Sequence, residues 1–172
     1  MERITTKLEG VLLIKPAIFE DFRGHYVEIY NKDLYPKLGI TAEFVQDDIS
    51  TSFQGVLRGI HGDYKTWKLI SCLLGRIYLV VVNCQEGSQH FGQWESFTLS
   101  DANRWQVLVP PGYGNGHLAL SEKIVFHYKQ STYYDPKAQF SYKWNDPRFN
   151  IFWPIQHPIL SPRDERGAYV DS

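Results

Sequence analysis

Short apolar and β-branched runs recur along the chain, each closed by turn residues. They predict strands over 11–14, 25–30, 55–60, 67–74, 76–84, 94–99, 105–109, 116–120, 123–134 and 140–144. Gly75, the trio Glu86, Gly87 and Ser88, residues 101–103, and Pro110, Pro111 and Gly112 supply the breaks. Helical periodicity is sparse. One turn is expected over 32–38 before Gly39, shortened by Pro36. A short C-terminal helix is expected with Ser161 as N-cap and Pro162 in its first turn. Ten short strands with so little helix predict an all-β sandwich or barrel. No repeat, linker or low-complexity tract divides the chain, so residues 1–172 read as a single domain.

Composition narrows the picture. The chain has 172 residues, 43% hydrophobic and 22% charged, which is enough apolar matter for a packed core. Lys and Arg total 18 against 19 Asp and Glu. With no basic surplus to neutralise a phosphate backbone, no nucleic-acid partner is expected. The longest apolar run, residues 77–82, is far short of the roughly 20 residues a membrane helix needs. The N-terminus lacks an apolar leader, and Cys72 and Cys84 are the only cysteines. These features predict a cytoplasmic protein with no disulfide framework and no membrane partner. Aromatic residues reach 15%, suited to strands and to pockets that stack flat ligands.

Candidate chemistry rests on polar residues inside the strand-like runs. Arg58 and His61 lie in Gly55-Val-Leu-Arg-Gly-Ile-His61, Lys68 opens the run 67–74, and Tyr128 sits in 123–134. Alternation puts Tyr128 on the inward face with Ile124 and Phe126, and turns His127 and Lys129 outward. From pattern alone, a core tyrosine bonded to a carbonyl is the commoner outcome. A lone His near a strand end is also more often structural, and Lys68 fits a strand residue with a solvated head. Regular alternation separates Arg58 from His61. Both reach one pocket only if the strand bulges between them, which Gly59 and Gly62 permit. No phosphate loop, dinucleotide-binding glycine fingerprint or Gly-x-Ser-x-Gly elbow is present. The two cysteines are not at zinc spacing, and the six histidines form no evident ligand cluster.

Several longer motifs stand in order along the chain. They are Phe19-Glu-Asp-Phe-Arg-Gly-His-Tyr-Val-Glu28, Phe44-Val-Gln-Asp-Asp-Ile-Ser50, Gly55-Val-Leu-Arg-Gly-Ile-His61 and Lys68-Leu-Ile70. Later come Pro110-Pro-Gly112, Tyr128-Lys-Gln-Ser-Thr-Tyr-Tyr-Asp-Pro136, Trp144-Asn-Asp-Pro147, Trp153-Pro154 and Leu160-Ser-Pro-Arg-Asp164. Together they resemble the dTDP-4-dehydrorhamnose 3,5-epimerases and related nucleotide-sugar epimerases, which are cupins. The resemblance covers nearly the whole chain. It implies a cupin-type antiparallel jelly-roll barrel with short peripheral helices, working as a homodimer with no metal or other cofactor.

The implied substrate is a nucleotide-diphosphate 4-keto sugar, GDP- or dTDP-linked. The resemblance places His61 as base with Asp164 as its partner, Tyr128 as the opposing acid, and Lys68 by the C4 oxygen. Arg58, Gln46 and Arg23 match diphosphate and nucleotide positions. Tyr133 and Tyr26 match base-stacking positions, and Glu28 lies in the same binding stretch. The chemistry agrees with these roles. A C4 ketone acidifies the protons on C3 and C5, and inversion needs a base on one face and an acid on the other. A free imidazole pKa of about 6.5 suits the base. A carboxylate on its other nitrogen holds the tautomer. A free phenol pKa of about 10 suits the donor. A lysine stabilises the charge growing on oxygen.

Departures from the family pattern fall on the pocket walls. His61-Gly-Asp63 stands where His-Phe-Gln or His-Tyr-Gln is usual, and Tyr113-Gly-Asn-Gly-His117 where Phe-Ala-His-Gly-Phe is usual. Gln46-Asp-Asp48 replaces Gln-Asp-Asn. The run Lys65-Thr-Trp-Lys-Leu-Ile70 is similar to a subgroup acting on GDP-linked 4-keto heptoses for bacterial capsule or lipopolysaccharide. Asp48 and Asp63 would add acceptors for a guanine edge, unless each merely pairs with a neighbouring cation. Asn115 and His117 would reshape the sugar wall. The expectation is a GDP-4-keto-heptose epimerase, with dTDP-4-dehydrorhamnose 3,5-epimerase as the alternative. A sugar-nucleotide 3,4-ketoisomerase and a non-catalytic carbohydrate-binding cupin also stay open. A metal-dependent cupin would lack two ligands, at Asp63 and Asn115.

Overall fold

The computed structural model describes residues 1–167, among which lie thirteen strands. In chain order they are β1 (Glu2–Thr5), β2 (Leu12–Lys15), β3 (Ile18–Asp21), β4 (Gly24–Val27), β5 (Gln46–Phe53), β6 (Leu57–Gly62) and β7 (Lys68–Leu74). They continue as β8 (Arg76–Asn83), β9 (Trp94–Ser100), β10 (Gln106–Val109), β11 (Tyr113–Ala119), β12 (Lys123–Gln130) and β13 (Phe140–Ser141). One sheet has the order β1-β2-β10-β7-β12-β5 and the other β13-β6-β11-β8-β9, while β3 and β4 form a separate hairpin. The strand ladders are antiparallel. The result is the antiparallel jelly-roll barrel expected of a cupin.

Alternation along the central strands explains how the layers hold together. On β8, Ile77, Leu79 and Val81 face the barrel interior, where they meet Ile70 and Cys72 of β7 and Val107 and Val109 of β10. Val80 and Val82 face the other way and are covered by Phe149 and Trp153 from the C-terminal segment. The outer face of the six-stranded sheet is covered too, by Tyr35 and Ile40 packing on Leu12, Leu69 and Leu108. A strand buried on both faces needs apolar residues at every position. Residues 77–82 are therefore an uninterrupted apolar run without being a membrane segment. No helix among the described residues is long and apolar enough to cross a membrane.

The expected strands are present, with ends shifted by a few residues. The longest overestimates are 123–134, where β12 ends at Gln130, and then 25–30 and 140–144, where β4 ends at Val27 and β13 at Ser141. Strands β1, β3 and β5 were not expected. β5 shows why. Its inward residues Gln46, Asp48, Ser50 and Ser52 are paired with Gln130, Tyr128, Phe126 and Ile124 of β12. The first three are polar because they border a cavity and Ser52 because it accepts from Arg58, so the apolar marker of a strand is missing. A 3-10 turn at Tyr35–Leu38 closes at Gly39, which has φ of +81°. Helix α1 (Pro162–Arg166) begins at Ser161, whose Oγ accepts from the backbone N–H of Asp164 at 3.2 Å.

Candidate active site

A cavity of about 450 Å³ opens between β5, β6, β7, β11, β12 and α1. His61, Tyr128, Lys68 and Asp164 all line it, as do Arg58, Gln46, Asp48, Asn115 and His117. His61 and Arg58 share the cavity because β6 is bulged. Asn115 pairs with His61 and His117 with Arg58, so three steps on β6 oppose two on β11. Gly59 makes the bulge possible. Its φ is +125°, and a side chain there would run into the backbone of Gly116.

The imidazole of His61 is fastened from outside the barrel. Its Nε2 lies 2.8 Å from Asp164 Oδ1, although the N–H is not aimed straight at that oxygen. Asp164 is buried, and α1 presents it. Its Oδ1 also accepts from the Gly59 amide at 3.2 Å, and its Oδ2 accepts from Ser161 Oγ at 2.6 Å. Burial is the largest influence on this carboxyl and raises its pKa. His61, Ser161 and the Gly59 amide together outweigh it and hold the pKa at about 2.

The facing sheet supplies Tyr128 and Lys68. Tyr128 lies on the inward face with Ile124 and Phe126, as alternation predicts, and packs on Phe126. Its hydroxyl makes no hydrogen bond among the described residues, so the carbonyl-bonded core tyrosine is not what the fold builds. Burial, with Asp48 and Tyr134 adding to it, pushes the phenol above its ordinary value, which leaves it protonated at neutral pH. Lys68 is almost wholly buried and does not carry the solvated head of an ordinary strand lysine. Burial pushes its ammonium down, Asp63 opposes that, and Arg163 reinforces it.

His117 stacks on Phe126 with ring centroids 4.0 Å apart and planes within 8°. Burial above all, then Arg58 and His61, pulls its pKa to about 3 against Asp164, so the ring is neutral at pH 7. Arg58 donates from Nε to Ser52 Oγ at 3.0 Å and keeps an outward edge exposed. Among the described residues, no three His, Cys, Asp or Glu side chains gather as metal ligands would.

Five expected site residues lie away from this cavity. Arg23 and Tyr26 are on the β3–β4 hairpin, where Arg23 pairs with Asp21 at 2.6 Å. Glu28 accepts from Asn31 Nδ2 at 3.2 Å. Tyr133 is 77% exposed, and its neighbour Tyr134 lines the cavity instead. Asp63 is turned inward to cap a turn, accepting from the Lys65 and Thr66 amides at 2.8 and 2.7 Å and from Gln139 Nε2 at 2.9 Å. Asp48 stays in the cavity, but its Oδ2 accepts from Gln46 and Gln130 at 2.8 and 2.7 Å. Asp63 has both carboxylate oxygens engaged and is closed as a guanine acceptor, whereas Asp48 keeps Oδ1 free of hydrogen bonds within the cavity; among the described residues neither forms a salt bridge.

Arg163, Gln130, Tyr134 and Gln139 line the cavity without having been anticipated. Arg163 had a signal, since it sits in the same capped first turn as Asp164. Gln130 had one too, since it follows Phe126 and Tyr128 at period two on the inward face of β12, whereas Tyr134 and Gln139 follow from loop paths that strand periodicity does not reach.

Residues 5–171 match the family described as dTDP-4-dehydrorhamnose 3,5-epimerase. A dTDP-4-dehydrorhamnose 3,5-epimerase of Escherichia coli strain K12 is 40% identical over 176 residues, 99% of this chain and 95% of that protein. The crystal structure of the dTDP-6-deoxy-D-glucose-3,5-epimerase of Legionella pneumophila, in complex with dTDP-4-keto-L-rhamnose, is 38% identical. It superposes with a TM-score of 0.93, covering 98% of this chain and 92% of that one. The Bacillus anthracis dTDP-4-dehydrorhamnose 3,5-epimerase, solved with TDP and PPi bound, is 36% identical with a TM-score of 0.95, covering 98% and 99%. Likeness this even, in sequence and in backbone from end to end, makes the chain an isomerase that belongs to the dTDP-4-dehydrorhamnose 3,5-epimerase family.

Proposed function

We propose that this isomerase inverts C3, C5 or both in a nucleotide-diphosphate 4-keto sugar through an enolate, without a cofactor. One observation carries the reading: His61 stands on one sheet and Tyr128 on the facing sheet of the same cavity. A sugar ring held between them meets a base on one face and an acid on the other. With Nε2 turned to Asp164, Nδ1 of His61 is left to take the C–H proton. The electron pair of that bond moves into the ring and onto the C4 oxygen, where the Lys68 ammonium stabilises the charge. Tyr128 returns a proton to the opposite face of the carbon, and solvent then restores Tyr128 and deprotonates His61. Arg58 and Arg163 are the guanidinium groups available to the diphosphate.

The nucleotide we propose is dTDP. Relatives named for dTDP sugars support it, and the guanine argument loses Asp63, whose carboxylate is turned to backbone amides and Gln139. The GDP-linked heptose is the second reading, kept because Asn115 and His117 alter the sugar wall. Calorimetric titration with dTDP and GDP separates the two. Incubating 4-keto sugar nucleotides in D2O and following them by proton NMR tests the chemistry. Deuterium at C3 or C5 with the ketone still at C4 supports epimerisation. A ketone moved to C3 would mean a ketoisomerase, and no exchange with any substrate would mean a binding module.

The assembly we propose is a homodimer. The β3–β4 hairpin stands apart from both sheets and exposes Phe19, Tyr26 and a Phe22 that is 98% exposed. An arm of this kind suits a second copy, and would carry Arg23 and Tyr26 toward the partner's cavity.

A further inference from the structure

The floor of the cavity holds two buried polar atoms that bind nothing among the described residues. Asn115 Oδ1 and His117 Nε2 are both enclosed and both without a hydrogen-bond partner among the described residues. They lie two residues apart on the inward face of β11, opposite His61 and Arg58 respectively. Gly116 between them points to the other side. The His117 ring cannot swing away to find a partner, because it is stacked flat on Phe126 and is only 3% exposed. Enclosed polar groups are nearly always paired, and an orphan inside a ligand cavity marks where a ligand group belongs.

The chemistry of the pair names that group. Asn115 presents an oxygen, which only accepts. The neutral imidazole of His117 donates or accepts at Nε2 according to its tautomer. A hydroxyl satisfies both at once, donating to Asn115 Oδ1 and accepting from His117 Nε2–H. A methyl group would leave both unpaired. We infer that Asn115 and His117 form a subsite for one hydroxyl of the sugar, set beside the base and acting as its specificity filter. The inference rests on the sugar-nucleotide reading above and adds to it which feature of the sugar the enzyme requires.

The test is a coupling experiment. The wild-type enzyme, His117→Phe and Asn115→Leu are assayed on 4-keto sugar nucleotides that carry or lack a hydroxyl at C2 and at C6. Phenylalanine keeps an aromatic ring to stack on Phe126 and removes the ring nitrogens. Losing either the hydroxyl or its partner leaves a buried polar group unpaired, so each change alone should lower kcat/KM by about tenfold to a hundredfold. Applied together they should lower it no further than either alone, for one hydroxyl and not the other. His117→Gln, which keeps an N–H in the region, should recover part of the loss. Losses that multiply for every hydroxyl overturn the inference. If a variant does not fold, the wild-type panel decides: less than about a threefold loss for every deoxy sugar overturns it. Deuterium exchange in the same assays keeps the two proposals apart. Exchange without hydroxyl discrimination sinks the subsite alone, whereas no exchange with any 4-keto sugar sinks the epimerase reading.

Discussion

Nε2 of His61 lies 2.8 Å from Oδ1 of Asp164, a residue of the five-residue helix α1 that follows the last strand. The same carboxylate accepts from the Gly59 amide, at the bulge that turns His61 inward. One side chain thus ties down both the ring and the bend in the strand that presents it.

Replacing His61 by Asn keeps a polar side chain and removes the titrating nitrogen. Proton exchange at C3 and C5 and net epimerisation should both fall by at least about a hundredfold, the lower end for a general base. NMR in D2O measures both at once, and near-normal exchange in this variant would remove His61 from the mechanism.

Tyr128→Phe should separate the two readouts. If Tyr128 only delivers the second proton, exchange continues through His61 while inversion slows, because the proton returns to the face it left. The outcome that excludes Tyr128 is wild-type epimerisation.

Asp164→Asn tests the ion pair in two ways. Without the carboxylate the imidazolium loses its partner, and kcat should fall at least about tenfold. Stability should change with pH as well. The folded pKa of Asp164 is about 2, against about 3.9 for an unfolded aspartate, so the folded state favours the ionised form. This contribution is fully present above about pH 4 and is lost as pH falls through about 2. It amounts to something on the order of 2 kcal/mol. Urea unfolding at several pH values should show wild type losing this increment below pH 4 and Asp164→Asn losing less. Parallel curves would mean that the pair carries no such linkage.

The hairpin is tested by complementation. Arg23→Ala and His61→Asn should each be inactive or nearly so as pure proteins. If each arm serves its partner's cavity, a denatured and co-refolded equal mixture contains mixed dimers with one intact site. Activity should then recover to about a quarter of wild type for random pairing. A mixture no more active than its components would mean that the arm does not serve the partner's cavity.

Much of this protein follows from local pattern. Runs such as residues 77–82 mark strands because alternate side chains enter different layers, and apolar residues at every position mean that both layers are covered. The inward face of Tyr128 follows from period two. The helix at Ser161 follows from its cap, since these are preferences of neighbouring residues. The tertiary structure decided the rest. Arg58 and His61 meet in one cavity because β6 bulges against β11, which no spacing along β6 alone reveals. β5 is a strand whose inward residues Gln46, Asp48 and Ser50 are polar because they border an opening made by other strands. Asp63 was available as a guanine acceptor on paper, but folding gave it backbone amides and Gln139 for partners. His61 and Asp164 lie far apart in the chain, and the pairing of Ile159 with Gly55 and Leu57, beside the start of β6, is what brings them to 2.8 Å. Strand identity depends on residues two positions apart, whereas the site depends on which distant groups share an enclosed space, and that is a property of the packed whole.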